Sequence, residues 1–182
     1  YFAFGFCFFA LFFNLGKPAL WQDEAETALY GRSVLMHGYP NVHIGNNLIT
    51  AQPTLQPYES NSRGAWIWNT WIPCYLTAAS YLLLGESTWT ARLPFALFGL
   101  LAFLLAGRLF RYFDSNDPKQ IQASGIALLY LGTNIPWLLF MRQCRYYSLT
   151  CAGTLAAVLS YRLLLKNSRW GQTALTASLL FL

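Results

Sequence analysis

The chain has 182 residues, of which 55% are hydrophobic, 18% aromatic and only 10% charged, and it carries a net charge of +5. That balance argues against an ordinary soluble domain and reads as a multi-pass integral membrane protein. Lys and Arg cluster between apolar runs, so membrane lipids with anionic headgroups are the expected partner and nucleic acid is not.

A bilayer core of about 30 Å takes roughly 20 mostly apolar residues per helix, and each long uncharged run is therefore a candidate span. The first, residues 1–16, is rich in Phe and ends at Gly16-Lys17-Pro18. A signal peptide would have a similar apolar core, but no cationic leader or small-residue cleavage site accompanies it. The run is instead read as a truncated helix, and the closing Thr176-Ala-Ser-Leu-Leu-Phe-Leu182 reads the same way. The chain is accordingly expected to be the N-terminal part of a longer protein.

Residues 17–65 form a long polar loop holding Asp23, Glu24, Glu26 and Glu59 together with Pro18, Pro40, Pro53 and Pro57. Within it, Asp23 to His37 predicts a short juxtamembrane helix, with Gly38-Tyr39-Pro40 as its stop. Residues 41–62 are rich in Asn, Gln, Pro and Ser, lack sustained periodicity and predict an irregular loop.

Further spans are expected at about 66–84, 93–110, 121–141, 146–165 and 170–182. The second opens on Trp66, Trp68 and Trp71, which read as an interfacial aromatic belt, and the third on Arg92-Leu93-Pro94. Cys7, Cys74, Cys144 and Cys151 lie in or beside apolar runs without CxxC spacing, suggesting packed small residues rather than a zinc site or disulfides. Small residues at Gly99–Ala106 and Ala152–Ala157 favour close helix packing in lipid.

Two constellations carry chemistry. In Trp21-Gln-Asp-Glu-Ala-Glu-Thr27, adjacent acids open a helix just after a membrane exit. Asp23 as N-cap with Glu26 three residues on would make a capping box. Alternatively Asp23 and Glu24, which point about 100° apart on a helix, divide the tasks of base and partner. In Arg142-Gln-Cys-Arg-Tyr-Tyr-Ser148, two guanidiniums lie between apolar runs. They suit either a phosphate or a headgroup anchor. His37 and His43 match no zinc spacing and read as exposed loop residues.

The order of these features resembles the GT-C glycosyltransferases, in the branch of protein O-mannosyltransferases and lipid A aminoarabinose transferases. The likeness rests on Asp23-Glu-Ala-Glu-Thr-Ala-Leu-Tyr-Gly-Arg32 running to His37-Gly-Tyr-Pro40, on Gly85 to Leu101, and on Met141 to Ser148. It implies an all-α, polytopic transmembrane bundle with a long non-cytoplasmic first loop, in a bacterial inner or plasma membrane rather than the endoplasmic reticulum. The implied reaction is inverting transfer of a sugar from a polyprenyl-phosphate donor to a lipid, glycan or protein acceptor. By position, Asp23 would be the general base and Glu24 its partner, while Arg142, Arg145 and Tyr146 or Tyr147 would hold the donor phosphate. Some members bind a divalent metal ion through a later acid of this loop, and here Glu59 takes that place. The Lys-Pro-Pro or His-Pro-Pro stretch usual before the second span is replaced by Pro57-Tyr-Glu-Ser-Asn-Ser-Arg63.

Charge sets a puzzle. With the loop outside and one crossing per run, Lys17, Arg32, Arg63, Arg108, Arg111, Lys119, Lys166 and Arg169 fall outside and Arg92, Arg142 and Arg145 inside, against the positive-inside tendency. The same parity separates Arg142 and Arg145 from Asp23. Either one run fails to cross, or regions beyond the chain set the orientation, or the arginines are anchors. A transporter or flippase-like protein and a non-catalytic membrane protein remain the alternatives in function.

Overall fold

The computed structural model describes residues 2–49, 56–112, 118–165 and 169–181. Helices dominate. In chain order they are α1 (Phe2–Phe12), α2 (Gln22–His37), then the two-residue strands β1 (His43–Ile44) and β2 (Asn47–Leu48), α3 (Gln56–Glu59), α4 (Ile72–Leu84), α5 (Thr88–Tyr112), α6 (Pro118–Thr133), α7 (Ile135–Arg142), α8 (Tyr147–Leu165) and α9 (Arg169–Phe181). The chain divides into two compact units, one of residues 1–13, 95–143 and 147–182, the other of residues 14–94 and 144–146.

In the first unit Ala3, Cys7, Leu11, Ala102, Phe103, Ala106, Leu128, Met141 and Ala152 form the core. Small residues there allow close approach: a Cβ at Gly99 would sit 2.4 Å from the Met141 carbonyl oxygen, and one at Gly107 would sit 2.6 Å from the Phe4 ring. Thr88–Phe110 and Tyr147–Leu165 are long and apolar enough to cross a membrane. Ile121–Thr133 and Ile135–Arg142 pass the same test only as a pair, bent by 75°. The bend has a local cause. Pro136 cannot donate to the preceding turn, and the Asn134 side chain accepts from Trp137 N at 3.0 Å, starting a fresh helix. The helix expected over 121–141 is thus interrupted at Asn134.

The second unit contains the polar loop. Helix α2 ends where Gly38 takes up φ 80°, the left-handed cap that glycine adopts without a Cβ penalty. Its N-terminus differs from the expected box. Trp21 is the N-cap, and Glu24 rather than Glu26 reaches back to the N-cap amide, 3.4 Å from Trp21 N. Helices α2 and α4 pack directly, since a Cβ at Gly31 would lie 2.7 Å from Thr77 Cγ2.

The second expected span, 66–84, changes most. Helix begins only at Ile72, and α4 has 13 residues, about 20 Å, which is short of a bilayer core. Trp66 is no belt residue: it is 3% exposed, bridges to Ser60 and stacks on Tyr30 at 4.4 Å. The supposed irregular loop is likewise ordered where it is described. Ser33 Oγ accepts from Asn41 N at 2.9 Å and donates to Asn41 O at 2.8 Å, while Val42 N donates to Gly64 O and Trp66 N to Pro40 O. Polar side chains here replace the periodicity that a regular element would have shown.

Candidate functional site

The site is built from α2, the segment 144–146 and the start of α5, all within the second unit. Arg92 lies in the second turn of α5 and is 5% exposed. A guanidinium has five N–H donors, and all five are used. Nε donates to Glu24 Oε1 at 2.8 Å and Nη2 to Glu24 Oε2 at 2.6 Å; the rest go to the carbonyls of Leu15 (3.0 Å), Pro18 (2.8 Å) and Ala19 (3.0 Å). A cation near a helix N-terminus opposes the helix dipole, and a buried one needs an anion. Glu24, 1% exposed, supplies it.

Glu24 Oε1 also accepts the backbone N–H of Cys144 at 2.9 Å. The carboxylate therefore ties the start of α2 to a segment 120 residues later and leads directly to Arg145. The Cys144 thiol lies 3.4 Å from Thr77 Oγ1, and burial pushes it up to about 12, so it stays protonated and is no nucleophile.

Arg145 is the hinge of the site. Its Nη2 donates to Asp23 Oδ2 at 3.2 Å and its Nη1 to Glu26 Oε2 at 3.2 Å, with Asp23 O at 3.3 Å and Thr27 Oγ1 at 3.5 Å also within reach. The Tyr146 ring lies beneath it, 5.7 Å from guanidinium carbon to ring centroid. Asp23 remains open, with 34% of its side chain exposed. It borders a cavity of about 230 Å³ lined by Gln22, Asp23, Ala25, Glu26, Leu29, Leu48 and Ile49. Burial raises the Glu26 carboxyl above its usual range despite Arg145, and the charges of Glu59 and Asp23 push the same way.

The expected residues thus separate by role. Asp23, Glu24, Arg145 and Tyr146 come together, whereas Arg142 belongs to the first unit and donates to the carbonyls of Ala10 in α1, at 3.3 Å, and of Phe13 just after it, at 3.0 Å. Tyr147 lies on α8, with its ring edge-on to Phe140. Glu59 is 4% exposed, and no group of three His, Cys, Asp or Glu able to hold a metal is found among the described residues. His37 and His43 are exposed.

Arg92 and Glu26 were missed as site residues. Arg92 had a readable signal, a cation placed where a helix dipole and an apolar surrounding both disfavour it. Glu26 had none, because a helix cap accounts for it equally well. No protein-family model, curated protein or solved structure matches the chain.

Proposed function

We propose that the protein is a GT-C-like membrane glycosyltransferase that moves a sugar from a polyprenyl-phosphate donor to a hydroxyl acceptor, with Asp23 as general base. The observation that carries this reading is the pairing of a half-open carboxylate on a cavity with a guanidinium 3.2 Å away. Asp23 takes the acceptor's proton as the acceptor oxygen attacks the anomeric carbon from the face opposite the phosphate. The bond from that carbon to the phosphate oxygen breaks, and the phosphate leaves with the electron pair. Arg145 lies where that growing negative charge can be met, backed by the Tyr146 ring. Glu24 does not itself line the cavity; with Arg92 it holds Cys144 and hence Arg145 in place. A metal at Glu59 is not part of this reading.

The proposed polytopic arrangement follows from α4. If this short helix stays on the loop's side, α5 becomes the second crossing and the bent pair α6 and α7 the third. Arg108, Arg111, Lys119, Lys166 and Arg169 then face the cytoplasm. Arg142 and Arg145 return to the side of Asp23, which removes the parity conflict. The segment between α1 and α5 exceeds roughly 60 residues, the length beyond which loop charge steers insertion little.

The deciding experiment is Asp23→Asn in the full-length protein, assayed in membranes with a polyprenyl-phosphate sugar. Loss of transfer with normal expression is expected; unchanged transfer removes the catalytic assignment. A second reading, a transporter for a polyprenyl-linked substrate, is favoured by the broken pair at Asn134, since interrupted spans line transport sites. Substrate crossing the bilayer without sugar transfer would select it.

A further inference from the structure

Arg145 meets two of the acids that line the cavity, Asp23 and Glu26, so its charge is already engaged. Two carboxylates share it, Asp23 through Nη2 and Glu26 through Nη1, each at 3.2 Å. Both bonds are modest in geometry compared with the 2.6 Å contact of Arg92 to Glu24. The side chain of Arg145 is only 12% exposed, yet its Nε is buried with no acceptor among the described residues. A buried guanidinium with its Nε unmet and its ion pairs in long contacts is incompletely satisfied by the described residues. Arg92, with every donor placed, shows the contrast within the same unit.

We propose that Glu26 is a placeholder for phosphate: its carboxylate occupies Arg145 until a phosphate oxyanion arrives and displaces it. This inference rests on the reading of Arg145 as the donor-phosphate ligand. A phosphate offers more acceptor oxygens than a single carboxylate and can meet the fork of a guanidinium with two of them. End-on, it therefore reaches Nη1 and Nη2 together, where Glu26 reaches Nη1 alone.

Displacement has a proton consequence. Glu26 is faced by Arg145 from the 144–146 segment, by Asp23 on its own helix and by Glu59 on α3, and lies near Tyr30 and Cys74. Arg145 is its cation, and the acids work against its charge. When Arg145 turns to phosphate, the burial of Glu26 goes unopposed and the carboxylate takes up a proton from solvent. At most one proton is bound per phosphate, the Glu26–Arg145 pair is broken and the Arg145–phosphate pair is formed. The placeholder thus keeps Arg145 from being left uncompensated in the empty site, and sets a threshold that weak anions do not cross.

The test is binding of polyprenyl phosphate to the full-length protein in nanodiscs, by calorimetry in two buffers of different ionisation enthalpy. Wild type is expected to take up protons on binding, and Glu26→Gln to bind about fivefold tighter with no proton uptake. Glu26→Asp, whose shorter arm draws the carboxylate away from Arg145, should fall between them. Equal affinity and equal proton uptake in wild type and Glu26→Gln would overturn the proposal. Nanodiscs with and without phosphatidylglycerol separate the sources of the anion. Competition by that lipid that grows in Glu26→Gln supports displacement by a headgroup, and indifference to it supports the donor. A Glu26→Gln gain in binding together with unchanged transfer by Asp23→Asn would uphold the placeholder while removing the enzymatic reading.

Discussion

Arg92 Nη2 lies 2.6 Å from Glu24 Oε2, and the pair is closed on every side by backbone groups of residues 15–19 and 144. Opposite charges hidden from water gain little over a well-packed apolar substitute, but removing one of them strands the other. Arg92→Met should therefore cost about 3–5 kcal/mol, and Glu24→Gln a comparable amount. The double variant should cost clearly less than the two added together, because neither charge is then left alone. Thermal unfolding of the full-length protein in detergent measures all three.

Tyr30 and Trp66 stack at 4.4 Å in the core of the second unit, where Tyr30 also donates to the Ile49 carbonyl at 3.3 Å. Trp66→Ala should destabilise by about 3–5 kcal/mol. Trp68→Ala, at a 64% exposed position nearby, should change little. Limited proteolysis within residues 41–64 reads the difference: faster cutting is expected only in the Trp66 variant. Equal cutting would restore Trp66 to an interfacial belt.

Gly31 meets Thr77 so closely that a methyl group would overlap its Cγ2. Gly31→Ala should cost about 1–3 kcal/mol by overpacking. Thr77→Ala removes Cγ2 but leaves Cβ 2.8 Å from the added methyl, so the double variant should regain only part of that loss. Additive losses in a melting experiment would mean that α2 and α4 do not pack through this contact.

Glu26 gives a pH dependence of known sign. Its carboxyl is raised in the folded state, chiefly by burial. The folded protein therefore holds that proton more tightly than the unfolded chain. The contribution is fully present below the ordinary carboxyl value and is lost as pH rises through the folded one. The melting temperature of wild type should fall across this acidic window relative to Glu26→Gln, with the two curves running parallel above it. A wild-type curve that rises there relative to the variant would contradict the shift.

A single cysteine at Gly45, in the turn between β1 and β2, tests the sidedness proposed from α4. An impermeant thiol reagent added to intact cells should label it, and a cysteine at Arg108 should react only after the membrane is opened. The reverse pattern would turn the arrangement over.

Much of this was legible in the chain. The stop at Gly38 follows from residue type and order, because glycine at a helix end has few solutions. The start of α4 was not legible. Residues 66–84 form one apolar stretch, and hydropathy counts Trp66 the same whether it faces lipid or Tyr30. Arg145 was separated from Asp23 by a parity count that treated every apolar run as a straight crossing, an assumption weakened by the short α4 and the bend at Asn134. Charge and hydropathy are properties of segments; which partner a residue meets depends on contacts spanning tens of residues, such as Glu24 with Arg92.

The bond from Cys144 to Glu24 is made by main chain, not by thiol. A backbone amide is common to nearly every residue, so the link survives exchange of the side chain at position 144 for any other that fits the small space against Thr77. Proline alone deletes it. The coupling between the first loop and the arginine segment is therefore written in the path of the polypeptide, where no reading of side chains would find it, and Cys144→Pro would cut it while leaving every charge in the site unchanged.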